Sequence, residues 1–210
     1  MTKYFISELM KYDSIGFDVD GTLYDEFDFI SQAYRGVAGV IAEFANAPNA
    51  DVYEALCREW KQFGSSKTTL FQDVYYMFSD ELPENFIKEC VNAFRSEPIE
   101  LSLSYEAKEM LNTLKSNNKD LFIVTDGNSD LQRKKIYALG LDRWFSEKNI
   151  AVSGDWGSQY QKPSPYMYQS VLKRTDNKKT VFLGDREVDK QFANNINSKF
   201  IQIKILRNKD

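Results

Sequence analysis

The chain of 210 residues contains no histidine. That excludes every mechanism with a histidine base and every histidine-ligated metal site, and leaves acid–base chemistry to Asp, Glu, Lys, Tyr or Cys. Cysteine is scarce as well. Cys57 and Cys90 are the only two, both in helix-like segments and without metal-ligand spacing. A disulfide framework is not expected from them, and reduced, buried thiols suit a cytoplasmic protein. No run approaches the roughly 18 apolar residues of a membrane span. The opening "MTKYFISELMKYDS" lacks the apolar core of a signal peptide. There is no basic stripe to neutralise nucleic-acid phosphates, and the formal net charge of -4 reads as solubility. Neither a membrane nor a nucleic acid is expected as a partner.

What is present suffices for a core. Hydrophobic residues make up 42% and aromatics 14% of the chain, which is not the composition of a disordered segment. The length fits one large domain, or a domain with a sizeable insertion. Residues 2–12 read as a short helix. In "SIGFDVD", Ile15, Phe17 and Val19 face one way while Gly16, Asp18 and Asp20 face the other: a strand whose end turns acidic, closed by Gly21.

From 24 to 96 the pattern is helical. Phe29, Ala33, Val37, Val40, Ile41 and Phe44 recur at helical spacing, and Val52, Leu56, Trp60 and Phe63 repeat the pattern after Pro48 and Asn49. "TTLFQDVYYMF" and "PENFIKECVNAFRS" read as two further helices, the second opened by Pro83 in its first turn. Residues 24–96 are therefore expected to form an all-helical insert between the two parts of a core, 1–23 and 97–210. In the second part, helices at 104–117, 129–138, 165–174 and 187–195 alternate with the apolar runs "DLFIVT", "NIAVS", "TVFLG" and "KFIQIKI". Continuous apolar runs indicate strands covered on both faces, as in a parallel sheet flanked by helices.

Ligands of open α/β sheets bind beyond the carboxyl ends of the strands. Asp18 and Asp20 follow the first run, Thr125 ends the second with Asp126, Gly127 and Asn128 behind it, and Asp185 and Asp189 follow "TVFLG". Lys162 lies on a loop stiffened by Pro163 and Pro165. One edge would thus gather at least four carboxylates, a hydroxyl and an ammonium. Crowded carboxylates raise one another's pKa unless a cation neutralises them, and oxygen-only ligands select a hard cation such as Mg²⁺. A carboxylate can attack a phosphoryl group, a second one can protonate the leaving oxygen, and a Lys and a hydroxyl can hold the non-bridging oxygens.

On these residues the sequence resembles the haloacid dehalogenase-like superfamily. "DVDGTL", Thr125 at the end of "LFIVT", Lys162 in "QKPSPYMY" and "GDREVD" match its four motifs in family order. The resemblance implies a Rossmann-like α/β fold with residues 24–96 as its helical cap. It implies Asp18 as nucleophile and Asp20 as general acid/base. Mg²⁺ would be held by the Asp18 side chain, the Asp20 main-chain carbonyl and Asp185, supported by Asp189. Thr125 and Lys162 would bind phosphate.

Plainer readings stand beside these roles. Asp18, Asp20 and Asp185 are also ordinary turn residues, Thr125 could cap a helix, and Lys162 and Asp189 could be solvated. Asp126 and Asn128 are either leaving-group contacts or turn and N-cap residues. Asp25, Glu26 and Asp28 read as a hinge, and Glu187 as solvent-facing. Among Arg35, Lys61 and Lys67, Lys67 is the preferred substrate contact, and the stripe "FQDVYYMF" reads as core. Where the family has a glycine ending its last helix, this chain offers Asn195 and Asn197, which tolerate the left-handed cap next best.

The expected function is a Mg²⁺-dependent phosphatase for a small phosphorylated metabolite: a sugar phosphate, a phosphoglycolate-like acid or a nucleotide. A phosphomutase would keep all four motifs and differ in how the cap treats the intermediate. A dehalogenase is disfavoured because Asp20 is present. A non-catalytic binding protein would show a lost motif residue, and none is lost. In a receiver domain the acidic pair precedes the phosphorylated Asp, the reverse of this order.

Overall fold

The computed structural model describes residues 2–175 and 179–203. Its contacts divide the chain into two units, one formed by Met1–Glu26 with Leu101–Asp210 and the other by Phe27–Glu100.

In the first unit the apolar runs form one parallel five-stranded sheet. The strands are β1 (Ser14–Phe17), β2 (Asp120–Thr125), β3 (Ile150–Val152), β4 (Thr180–Gly184) and β5 (Lys199–Gln202), in the spatial order β3-β2-β1-β4-β5. The outer strand β5 is only partly buried and ends before the expected run does; residues 204–205 of that run lie outside the described residues. β1 is central and wholly buried. Its last residue, Phe17, lies opposite Ile123 of β2 and Leu183 of β4. Parallel pairing in this register makes the carboxyl ends coincide. The segments after β1, β2 and β4 therefore leave the sheet along one edge.

The two faces of the sheet are packed differently. On one, Gly16 leaves room for the rings of Phe122 and Phe182, whose centroids are 6.2 Å apart. Met167, Tyr168 and Phe192 continue that core. On the other face Phe17 meets Phe145 edge-on, with centroids 5.8 Å apart. Helices cover the sheet: α1 (Thr2–Leu9) packs on α6 (Tyr105–Ser116), which packs on β2, and α8 (Glu187–Asn195) lies on β4 and β5.

Local chemistry sets the helix bounds. Ser104 caps α6 by accepting the Ala107 N–H, and α7 (Ser129–Ala138) is capped in the same way by Asn128. After α8, Asn197 takes the left-handed conformation at φ 51°, and the next N–H, from Ser198, returns to the Ala193 carbonyl. The helix expected over 165–174 is instead a wide π-type turn, Met167–Val171, closed by the Leu172 N–H on the Met167 carbonyl.

The second unit is helical: α2 (Glu26–Ala45) runs into it, followed by α3 (Asn49–Phe63), α4 (Leu70–Tyr75) and α5 (Phe86–Ser96). Phe29, Val37, Ile41, Leu56, Val74 and Phe86 are buried there. The stripe expected as core splits: Val74 and Tyr75 are buried, while Tyr76 and Met77, past the end of α4, are exposed. α5 begins three residues beyond Pro83, after Asn85 at φ 66°. No described helix is long and apolar enough to cross a membrane.

Gly16 tests the packing under the site. A Cβ there would lie 2.3 Å from the Phe122 ring and 2.7 Å from Phe182. Overpacking of this kind costs about 1–3 kcal/mol. Gly16→Ala is expected to lower Tm by several degrees in a thermal melt. An unchanged Tm would show that the two rings can part freely.

Candidate active site

Asp18 is the first residue past β1, and its N–H is fixed on the Leu183 carbonyl at 2.9 Å. The side chain is 1% exposed, yet neither carboxylate oxygen accepts a hydrogen bond. The Lys162 ammonium stands 3.0 Å from Oδ1 without hydrogen-bond alignment, and the Arg186 guanidinium is 3.7 Å from Oδ2. Burial is the largest influence on this group and raises its pKa. Lys162 pulls it down, Asp189 pushes it up, and the outcome is about 6.

Asp20, two residues on, is in the opposite state. It accepts from Lys135 Nζ at 2.8 Å, from Gln132 Nε2 at 2.9 Å and from the Tyr24 hydroxyl. Burial raises its pKa, but the Lys135 charge and the three donors together outweigh burial and hold it below the usual carboxylate value. Burial, and after it the Asp20 charge and the hydrogen bond to it, push the Tyr24 hydroxyl well above its ordinary range. Between Asp18 and the helical unit the chain must turn sharply. Gly21 makes this possible at φ 72°, where a Cβ would come within 2.6 Å of the Asp185 carboxylate.

The other strand ends deliver the remaining groups. Thr125, 1% exposed at the end of β2, accepts from Gln132 Nε2 at 2.6 Å. Asp185 follows β4. Burial and the facing Asp18 raise its pKa to about 7. Asp189, fully buried in the first turn of α8, accepts from Lys162 Nζ at 2.6 Å and from the Arg186 N–H at 3.0 Å. Burial alone would lower the Lys162 pKa. Asp18, Asp189 and Asp126 reverse that and raise it.

The carboxylates of Asp18, Asp185 and Asp189 offer oxygens that all lie within 4.8 Å of one another. Asp189 commits one oxygen to Lys162 and the other to the Arg186 N–H. Asp18 has no hydrogen bond on either oxygen, and buried Oδ1 of Asp185 has none. Buried carboxylate oxygens without donors are what a hard cation satisfies. Asp18 and Asp185 therefore have oxygens to give a metal ion, with Asp189 holding Lys162 behind them.

The structure thus brings Asp18, Asp185, Asp189 and Lys162 together, with Asp20 and Thr125 joined to one another through Gln132. Asp126 accepts the Lys162 backbone N–H on both oxygens at 3.2 Å and so anchors that loop. Asn128 is the exposed N-cap of α7, its Oδ1 taking the Leu131 N–H at 3.1 Å. Lys67 belongs to the helical unit, where its ammonium lies 2.9 Å from both Glu59 and Asp73. Sequence reasoning missed Tyr24, Gln132, Lys135 and Arg186. The α7 pair leaves only a weak trace: Gln132, Lys135 and Ile136 share the buried side of the helix, so its one apolar residue there is flanked by two polar ones and the face does not stand out by periodicity. Arg186 is half exposed at the mouth of the acidic cluster, and it stands at a variable position of "GDREVD" that gives no such hint.

Comparison with known proteins bears on the fold and the family. No curated protein sequence matches the chain. A candidate phosphatase from Clostridium difficile is similar in structure at a TM-score of 0.64 and 25% identity, covering 91% of this chain and 84% of that one. The hydrolase candidate YfnB of Bacillus subtilis, a structure bound to magnesium, aligns at 0.58 and 22% over 86% and 83%. A candidate beta-phosphoglucomutase from Thermotoga maritima aligns at 0.62 and 22% over 90% and 83%. Residues 12–197 match the haloacid dehalogenase-like hydrolase family, and with most of its length so matched the chain belongs to that family.

Proposed function

We propose that the chain is a Mg²⁺-dependent phosphatase that cleaves a small phosphorylated metabolite through an aspartyl-phosphate on Asp18, with the helical unit serving as its cap. The observation that carries this reading is the Asp18 carboxylate: buried, without hydrogen bonds, and faced by the Lys162 ammonium at 3.0 Å. A carboxylate needed only for the fold would have its oxygens satisfied. The similarity to a candidate phosphatase at 25% identity supports the same chemistry. The substrate class is a sugar phosphate, a phosphoglycolate-like acid or a nucleotide.

Asp18 attacks phosphorus, and the ester P–O bond breaks as the leaving oxygen takes a proton from Asp20, which is a carboxylate in the free protein and takes up that proton when the negatively charged phosphoryl group binds beside it. Lys162 and the Thr125 hydroxyl hold the non-bridging oxygens. Asp20 then takes a proton from the water that attacks phosphorus, releasing phosphate and restoring the Asp18 carboxylate. Asp189 keeps Lys162 aimed, and Asp126 fixes the backbone of its loop. Mg²⁺, held by Asp18, Asp185 and the Asp20 main-chain carbonyl with Asp189 in support, would neutralise the negative charge that the carboxylates and the phosphoryl group share.

The raised carboxylates make a second expectation about the metal. Asp18 and Asp185 move from 3.8 to about 6 and about 7 on folding. The native state then binds more protons than the unfolded state across that window, so metal-free stability falls as pH rises from about 4 to 7. Mg²⁺ relieves the cost but must compete with protons at the acid end. Millimolar Mg²⁺ is expected to raise Tm more at pH 8 than at pH 5, and Asp185→Asn to abolish most of that shift. A shift independent of pH would contradict the site.

The direct test of function is release of phosphate from an aryl phosphate. The wild type with Mg²⁺ is expected to be active, and Asp18→Asn to lose at least about 10³-fold in kcat, as expected when a nucleophile is removed. An active Asp18→Asn protein sinks the mechanism. Phosphoryl transfer to a sugar in place of water would redirect the reading to a mutase.

A further inference from the structure

Helix α7 carries two polar side chains on its buried face, Gln132 at 2% and Lys135 at 5% exposure. Burying an ammonium is unfavourable, and replacing a buried ion pair by apolar groups is often neutral or stabilising. Packing alone would therefore favour leucine or methionine at both positions. Both side chains point to one target. Lys135 donates to Oδ1 of Asp20 at 2.8 Å, and Gln132 donates to Oδ2 at 2.9 Å. The same Gln132 amide nitrogen also donates to the Thr125 hydroxyl oxygen at 2.6 Å. A carboxylate accepts only, so the nitrogen of the amide must face Asp20.

We propose that Gln132 and Lys135 are positioning residues that together clamp Asp20 and aim the Thr125 hydroxyl. This rests on the phosphatase reading, in which Asp20 is the acid/base and Thr125 a phosphate donor. The hydroxyl has one proton to give. With an oxygen lone pair taken by the Gln132 N–H, and an amide nitrogen unable to accept in return, that proton is directed away from α7 toward the open strand end. Gln132 thereby ties the phosphate-holding group to the acid/base through one side chain. Lys135 shares Oδ1 with the Tyr24 hydroxyl and supplies the charged member of the attachment that keeps the Asp20 carboxylate from rotating. The two residues lie three apart, on one face of a helix whose first turn is fixed by the Asn128 cap.

Two double-mutant cycles with the full-length protein and Mg²⁺ test the clamp. The substrates are p-nitrophenyl phosphate and phenyl phosphate, whose phenoxide is the poorer leaving group and relies more on Asp20. Lys135→Met is expected to lower kcat on phenyl phosphate by about 30-fold or more, and less on p-nitrophenyl phosphate, with Tm lowered because the buried Asp20 carboxylate loses its counter-charge. In an Asp20→Asn background the same change is expected to cost under about threefold, because the residue acts through Asp20. Lys135→Arg, which keeps the cation, is expected to restore most of kcat. Gln132→Leu is expected to weaken competitive inhibition by inorganic phosphate about tenfold, and to have no such effect when Thr125 is already valine. Losses that simply multiply in both backgrounds would overturn the clamp, as would a Lys135→Met enzyme within about threefold of wild type. Should Lys135→Met not fold, Lys135→Gln carries that arm. Collapse of Lys135→Met, Lys135→Gln and Gln132→Leu alike would mark both residues as structural and also overturn the proposal. The wild-type and Asp18→Asn rates report on the phosphatase reading, so an inactive wild type removes that reading and the clamp with it. Only the cycles, in an active enzyme, remove the clamp alone.

Discussion

The carboxylate of Asp18 is buried at the carboxyl end of the central strand, and neither of its oxygens accepts a hydrogen bond. Much of the surrounding structure serves to keep such a group in place. The backbone is pinned to β4 through the Leu183 carbonyl. Lys162 is held opposite by Asp189, and its loop is held by Asp126. Gly21 lets the chain turn away while Asp185 comes close. A buried, unsatisfied anion is costly unless a cation or a reaction makes use of it. The packing beneath it, with Gly16 leaving space for two phenylalanine rings, makes the strand end rigid enough to bear that cost.

Asp20 shows the complementary solution. Its environment pulls its pKa down where that of Asp18 is pushed up, although only one residue separates them. In the metal-free protein the divergence runs against the proposed roles, since the raised group is the nucleophile and the lowered one the acid; a cation at Asp18 would lower its pKa, and a bound phosphoryl group would raise that of Asp20. Here the divergence has a structural source. Asp18 faces the sheet edge and the other acids, whereas Asp20 turns toward α7, where Lys135 and Gln132 meet it. The polar side of α7 thus enters the account of the active site, although the helix carries no residue of the four family motifs.

The parts legible in the sequence were those governed by local rules. Apolar runs became strands, and their carboxyl ends fell on one edge because the runs alternate with helices. The bounds of α7 and α8 came from periodicity, and Asn197 took the left-handed cap that a missing glycine demanded. The parts not legible depend on side chains meeting across the fold. Gln132 and Lys135 reach Asp20 over 112 and 115 residues of chain, and no local rule marks them as partners. Asp126 and Asn128 were open between two roles because a turn residue and a ligand contact look alike in sequence. The structure gives the first a loop to anchor and the second a helix to cap. The stripe around Tyr75 is core only in part, because a run of consecutive aromatics cannot all lie on one face: Val74 and Tyr75 are buried, and Tyr76 and Met77 are exposed.

The central claim is that Asp18 itself becomes phosphorylated. Acid-quenching the enzyme during turnover with Mg²⁺, reducing acyl phosphates with borohydride and mapping the peptides by mass spectrometry tests it directly. The account predicts conversion of Asp18 to homoserine in a fraction of the chains, with Asp20, Asp185 and Asp189 unmodified. Turnover with no reduced residue at Asp18, or with the label on another carboxylate, would contradict it.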